Sequence, residues 1–560
     1  MCKHHLSLGS ILVLSCALAA QCISNEVSRH EKSSAQQPGR PTTTVTSNSP
    51  MQTPSDATAR WKKVQRTLLR DGIALQLEVE PIEPQVSSSA AHAGTALRVR
   101  LAVNDSVTHA PLTGLHPSVW MSLSAGENVP CSARARAFLR RGLLEKQPEL
   151  DLNDYYVLVL NQDATIHVVD PQFSSGRPQL VTSIALPGHA DDWLLSADQS
   201  RLLVSISQPG EIVMVDTATW TIVHRVKISG AQKLVLQPDE HYLWASYSGS
   251  ESGVAVLSAA DLHLITRIPL HAGRHDIAIS SDSRLAFVTD PGATSVSILD
   301  VARLTRTREL KTPGPASSIA YSAASQSAYV TTTSGSIVVI NERGEIISRM
   351  ETEPGLAHIA FFRDGRFGFA LNPEKGLLHV IDAARNTVVQ TTPIDAKPEQ
   401  IAFSDQLAYV VRRDSDLIEM VPLDRVGAPG TAVSTVDLPA AHNAFAHATA
   451  DELTTTMVQA PGENAVVIAN AADKAVFYYE EGMAAPMGTF SNFGKPPRSV
   501  LVVDHSLKEK SPGIYEAAGR LEKPGIYIVP VLLDAPRIVE CFTLPIGSGD
   551  PAPAANPAPH

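Results

Sequence analysis

The chain has 560 residues, 44% of them hydrophobic and 18% charged, with a formal net charge of -11 at pH 7. This is the composition of a globular protein with a sizeable core rather than of a disordered chain. The acidic balance, with no concentrated Lys/Arg run, excludes a general affinity for nucleic acid or for anionic lipid.

Residues 1–22 read as an export signal: Lys3, His4 and His5 precede an apolar stretch from Leu6 and small residues through Ala20. The stretch falls short of the roughly twenty apolar residues a membrane-spanning helix needs. Val13-Leu14-Ser15-Cys16 resembles a bacterial lipobox, which makes Cys16 the expected lipidation site; ordinary cleavage near Ala19 or Ala20 is the alternative. Residues 23–60 are rich in Ser, Thr, Pro and Gln and read as a linker, and residues 548–560 as a Pro/Ala-rich tail. The expected location is the periplasm or cell envelope, with membrane attachment only through a lipid.

Between 61 and 150, Ile73, Leu75, Leu77 and Val79 alternate with polar residues, as do Leu97, Val99, Leu101 and Val103. Such alternation predicts half-buried antiparallel strands.

From 151 to 480 a unit of about forty residues recurs. Its second strand is visible as Tyr156–Leu160, Arg201–Ser205, Tyr242–Ser246, Leu285–Thr289, Ser327–Thr331, Phe367–Leu371, Leu407–Val411 and Ala465–Ala469. A third strand ending in an acid follows in several copies, as in Thr165–Asp170, Glu211–Asp216, Ser295–Asp300 and Leu377–Asp382. One small sheet cannot bury both faces until several pack around an axis, so the period predicts an all-β chain built on a seven- or eight-bladed β-propeller. The copies favour eight, although the first lacks an innermost strand and the last an evident outermost one. Arg274–Asp282, Ser327–Thr331 and Phe361–Arg366 resemble the YVTN family of propellers and the related haem d1 domains of cytochrome cd1. That resemblance implies the fold and leaves the chemistry open.

Strand texture returns between 481 and 547, in Val500–Val503, Gly513–Tyr515, Gly525–Val529 and Ile538–Phe542. Together with residues 61–150, the Met-rich turn Glu481–Gly488 and the segments Pro512–Tyr515 and Pro524–Tyr527 resemble immunoglobulin-like domains of the YtkA and FixH type. The resemblance implies one flanking β-sandwich split around the propeller; two unrelated caps are the alternative. Cys131 and Cys541, one on each side of the propeller, are the cysteines of the folded body and a candidate disulfide, with two buried thiols as the other reading.

In a propeller the innermost strand begins near the axial opening, which points to His189, Asp192, Lys233, His275, Asp276, Ser318, His358 and Gln400 as axial residues. His189, His275 and His358 are the candidates for holding a d1-type haem; a covalent c-type haem is excluded because no Cys-x-x-Cys-His occurs. Met483 and Met487 with His505 form a candidate Cu(I) site, since thioether and imidazole suit that ion and the FixH-like resemblance implies copper handling; core packing is the alternative. No Gly-x-Ser-x-Gly elbow, Walker loop or dinucleotide fingerprint is found, so no catalytic residue is assigned. The expected function is an exported propeller that binds or scaffolds an envelope protein or small ligand. The alternative is a periplasmic redox or metal-handling protein carrying copper or haem.

Overall fold

A computed structural model describes residues 63–546, apart from 83–94, 125–128, 141–147, 154, 172–177, 395–396, 414–416, 428–433, 438–455, 462–463, 484, 522, 524 and 535. The expected export segment 1–22 with Cys16, the linker 23–60 and the tail 548–560 lie outside the described residues. Among the described residues, no helix is long and apolar enough to cross a membrane.

Among the described residues, eight four-stranded antiparallel sheets follow one another as meanders, an arrangement consistent with a β-propeller. Blade 1 comprises Pro497–Asp504, Tyr155–Asn161, Thr165–Asp170 and Gln179–Ala185, in that spatial order; blade 2 begins at Asp192–Leu195, and later blades follow in chain order. The period-two alternation of each second strand sends its residues to opposite neighbours. In blade 1, Leu158 and Leu160 pack against blade 2, where they meet Leu202 and Val204. Val157 and Val159 pack the other way, against Val467 and Ala469 of blade 8. Phe287 faces blade 5 while Ala286 and Val288 face blade 3, and Tyr329 and Val330 divide in the same manner. Buried apolar layers therefore run from each blade to the next and from the eighth back to the first.

Closure comes from a strand the sequence reading places elsewhere. Val500–Val503, assigned above to the sandwich portion 481–547, belong to Pro497–Asp504, which pairs with Tyr155–Asn161 as the innermost strand of blade 1. The outermost strand of blade 8 is Gly488–Ser491, beyond the expected propeller end at 480. An apolar alternation such as Val500–Val503 fits either kind of sheet, so periodicity does not say which one recruits it. Outer strands such as Thr305–Lys311 are nearly all exposed and carry no apolar signal. A polar lock backs the closure: Asn492 of the last blade donates to Asn161 Oδ1 at 2.6 Å and meets His167 Nδ1 at 3.1 Å.

The segments outside the ring build two further sheets with one shared core. In the first, Thr95–Asp105 pairs with Ile514–Leu521; in the second, Ser118–Leu123 pairs with Gly525–Asp534. Both sheets thus combine strands from before and after the propeller. The tyrosines of the two Gly-Ile-Tyr segments are fully buried, and their hydroxyls satisfy backbone groups: Tyr515 donates to Leu112 O at 2.9 Å and Tyr527 to Lys523 O at 2.6 Å. Cys131, at the start of helix Cys131–Arg140, is joined to Cys541 with a Cα–Cα separation of 5.6 Å.

Candidate functional site

Each innermost strand places one residue opposite the fifth residue of the second strand in its blade. Asp192 lies opposite Ser205, Ser318 opposite Thr331, His358 opposite Leu371, Gln400 opposite Val411 and Ser499 opposite Leu160. Lys233, Asp276 and Thr456 hold the same place, bonded respectively to Ser246, Thr289 and Ala469. Asp, Lys, Asp, Ser, His, Gln, Thr and Ser therefore occupy equivalent register positions in these sheets.

Two of these residues tie blades together. Asp192 accepts from Trp193 N at 3.0 Å and, across the seam to blade 3, from Leu234 N at 2.9 Å. Asp276 accepts from Ile277 N at 3.0 Å and, across the seam to blade 5, from Ile319 N at 3.1 Å and Ser318 Oγ at 2.8 Å. Such carboxylates satisfy backbone donors at strand starts, where the meander leaves them unpaired. Trp193 Nε1 adds a seam bond to Ser499 Oγ at 3.0 Å.

Lys233 and His358 carry the chemistry left over. Lys233 Nζ lies 3.6 Å from Asp192 Oδ2, with its side chain 31% exposed. The Asp192 carboxylate raises the Lys233 pKa, while burial pushes Asp192 up against the pull of Lys233. His358, half-buried on blade 6, feels Asp276 of blade 4 and Lys233 of blade 3 electrostatically, together with the exposed Arg274. Burial lowers its pKa below the ordinary 6.5, with Asp276 opposing and Lys233 and Arg274 assisting. The His358 imidazole is thus electrostatically sensitive to charged groups of blades 3 and 4.

The other histidine candidates stand apart from this group. His189 is exposed in the loop before blade 2. His275 is 1% exposed; its Nδ1 donates to the Thr289 carbonyl at 2.7 Å, and its buried Nε2 has no partner among the described residues. Among the described residues, no three His, Cys, Asp or Glu side chains gather as a metal site. His189, His275 and His358 accordingly do not come together as one donor set.

Met483 and Met487 sit on the turn between Ala475–Glu480 and Gly488–Ser491, 47% and 53% exposed. At that exposure neither side chain is a buried core residue. His505 lies just past the closing strand, packed against Tyr156 with ring centroids 3.7 Å apart and the ring planes tilted by 44°. It lines a cavity of about 260 Å³ between the propeller and the two-sheet module, together with Gln199, Lys508 and Glu516. Charges there pair locally, Lys508 with Asp504 at 3.3 Å and Glu516 with Arg100 at 2.6 Å.

Thr456, Ser499 and Arg274 were not assigned from sequence. Thr456 falls outside the forty-residue spacing from Gln400, and Ser499 is recognised only once Pro497–Asp504 is seen to pair with Tyr155–Asn161. Arg274 lies in the loop before its strand and obeys no period.

No protein-family model matches this chain, and no curated protein is similar to it in sequence. Solved structures are similar in fold. One is a functionally unknown protein from Desulfotomaculum acetoxidans DSM 771, 14% identical, covering 62% of this chain and 98% of that one with a TM-score of 0.44. Another is the dihydro-heme d1 dehydrogenase NirN in complex with DHE, 13% identical, covering 63% and 76% with a TM-score of 0.48. A third is Kuenenia stuttgartiensis hydrazine synthase, 16% identical, covering 53% and 96% with a TM-score of 0.40. At these identities and scores the likeness carries no information about ligand or reaction.

Proposed function

We propose that this chain is an exported binding module, a YVTN-type propeller of eight blades that receives its ligand or partner at the axial opening. One observation carries the reading: a nearly symmetric ring is decorated asymmetrically at a single register, with Asp192, Lys233, Asp276, Ser318, His358, Gln400, Thr456 and Ser499. Asp192, Asp276, Ser318 and Ser499 are committed to bonds across the seams, whereas Lys233, His358 and Gln400 are partly exposed. Different polar groups at equivalent places create a directional surface on a rigid support, the arrangement binding sites use. The sheets formed from both flanks of the propeller serve in this reading as a split immunoglobulin-like mount for the ring.

A photo-crosslinking residue in place of Gln400, compared with one in place of the exposed Thr307 on an outer strand, tests the reading in the native host. Adducts, of protein or small molecule, are expected from position 400 and not from 307. Adducts at neither position, or at 307 alone, contradict it. Export rests on Lys3, the apolar run and Val13–Cys16. Cys16→Ser is expected to move the mature protein from the membrane to the soluble envelope fraction; unchanged fractionation refutes lipid anchoring.

A further inference from the structure

The cavity of about 260 Å³ between the propeller and the two-sheet module is built on two turns of blade 2 that are bonded to each other. In the turn after the innermost strand, Asp198 Oδ1 accepts from the Ser196 and Ser200 hydroxyls, each at 2.7 Å, and from Ser200 N at 3.0 Å. In the turn after the third strand, Asp216 Oδ1 accepts from Ala218 N at 2.9 Å, Thr219 N at 2.8 Å and the Thr219 hydroxyl at 3.0 Å. Thr217 joins the two turns, its N–H donating to Ser200 O at 3.0 Å and its hydroxyl to Gln199 O at 2.7 Å. Gln199 reaches the end of the closing strand, where its Oε1 accepts from Asp504 N at 2.8 Å. One polar atom of each of these three side chains is thus committed to structure. The other, Asp198 Oδ2, Asp216 Oδ2 and Gln199 Nε2, has no hydrogen-bond partner among the described residues, and all three residues line the cavity.

Most of the other charges around the cavity are paired. Lys508 meets Asp504 at 3.3 Å, Arg98 meets Glu80 at 2.9 Å and Glu516 meets Arg100 at 2.6 Å. Lys510 is exposed and acts electrostatically on Asp198. Tyr156, Val503 and Ala517 add apolar surface to the lining. The atoms left over are carboxylate oxygens, which only accept, and an amide nitrogen, which only donates. A hydroxyl does both, so neighbouring hydroxyls of one molecule can donate to the carboxylates and accept from the amide. We propose that this cavity binds a small neutral polyol of single-ring size, held by Asp198, Asp216 and Gln199. The volume lies near the lower end of ligand pockets, about 300 Å³, and a few convergent polar groups beside an apolar wall are what fixes a ligand's orientation there. The site is separate from the axial opening and goes beyond the function proposed for it.

Glucose, galactose and myo-inositol are the probes, with ethanolamine as a small cationic comparison. Saturation-transfer NMR on the full chain is expected to show at least one of the three polyols binding saturably, and more tightly than ethanolamine. Three near-isosteric variants each reverse one hydrogen-bonding role while keeping the oxygen that holds the turn. Asp198→Asn and Asp216→Asn exchange an acceptor for a donor, and Gln199→Glu exchanges a donor for an acceptor. Each should weaken the bound polyol by at least about fivefold, the scale of losing one hydrogen bond. Thr307→Ala, on an exposed outer strand, should bind as the wild type does. Independently of the variants, the polyol soaked into crystals of the wild type should lie against Asp216 and Gln199. No saturable polyol, tighter binding of ethanolamine, affinities unchanged in all three variants, or a polyol seated only elsewhere in the crystal overturns the proposal. Crosslinking at position 400 reports on the axial opening alone, so the two readings stand or fall separately.

Discussion

At the residue scale, Asp192 and Asp276 show how a side chain at a register position that reads as a candidate site can be committed to holding blades together. Both were legible as axial residues because they precede the first apolar pair of their strands. Their commitment to the next blade was not legible, since it depends on which backbone N–H the meander leaves unpaired. The buried histidines show a similar divide. Burial lowers the pKa of His358, of His167 against the support of Asn492, and of His379 against the pull of Glu353. In each case the folded pKa lies below the ordinary 6.5, so in the window beneath that value the unfolded chain binds protons that the folded chain does not. Their contribution is complete above about pH 6.5 and is lost as pH falls through and below it. Urea midpoints are expected to drop between pH 7 and pH 5.5, at up to about 1.4 kcal/mol per pH unit for each group titrating. The double variant His167→Gln and His379→Gln should show a shallower drop; an equal or steeper one refutes the assignment.

At the element scale, the second and third strands were legible because both faces are buried between blades, which leaves near-continuous apolar runs such as Leu202–Val204 and Val338–Ile340. Fourth strands such as Thr305–Lys311 sit at the rim and write no such pattern. The closing strand Pro497–Asp504 was visible as a strand and assigned to the wrong sheet, because its alternation holds no information about its partner. Its energetic weight follows from its place, since it supplies the inner edge of blade 1 from the far end of the repeat region. Val500 is fully buried between blades 8 and 1. Val500→Asp puts an unpaired charge at that seam and is expected to cost at least about 3 kcal/mol in urea denaturation, or to prevent folding. Thr307→Asp, on an exposed outer strand, is expected to stay within about 0.5 kcal/mol. Equal effects from the two substitutions would show that the closing strand has no special role.

At the scale of the whole molecule, the two-sheet module is assembled from chain segments on both sides of the ring, and Cys131–Cys541 spans a sequence separation of 410. Its half-strands were legible by alternation; their cross-pairing, Leu101 opposite Tyr515 and Val119 opposite Val531, could not be derived from alternation alone. The ring is closed by backbone pairing within blade 1, whereas the disulfide lies in the flanking module. The double variant Cys131→Ser and Cys541→Ser is therefore expected to lose about 2–5 kcal/mol of stability in that module while the propeller stays closed. Denaturation monitored at Trp120, in the module, and at Trp244, between blades, would separate the two; simultaneous loss of both at the lower stability would contradict independent closure.

The most direct test of the account is a high-resolution structure of the chain purified from its native host without exchange into sulfate or phosphate. The account predicts non-protein density at the axial opening, within hydrogen-bonding distance of Lys233 and His358. Only water there, with Lys233 turned wholly onto Asp192 and a bound ligand seated elsewhere on the protein, would contradict it.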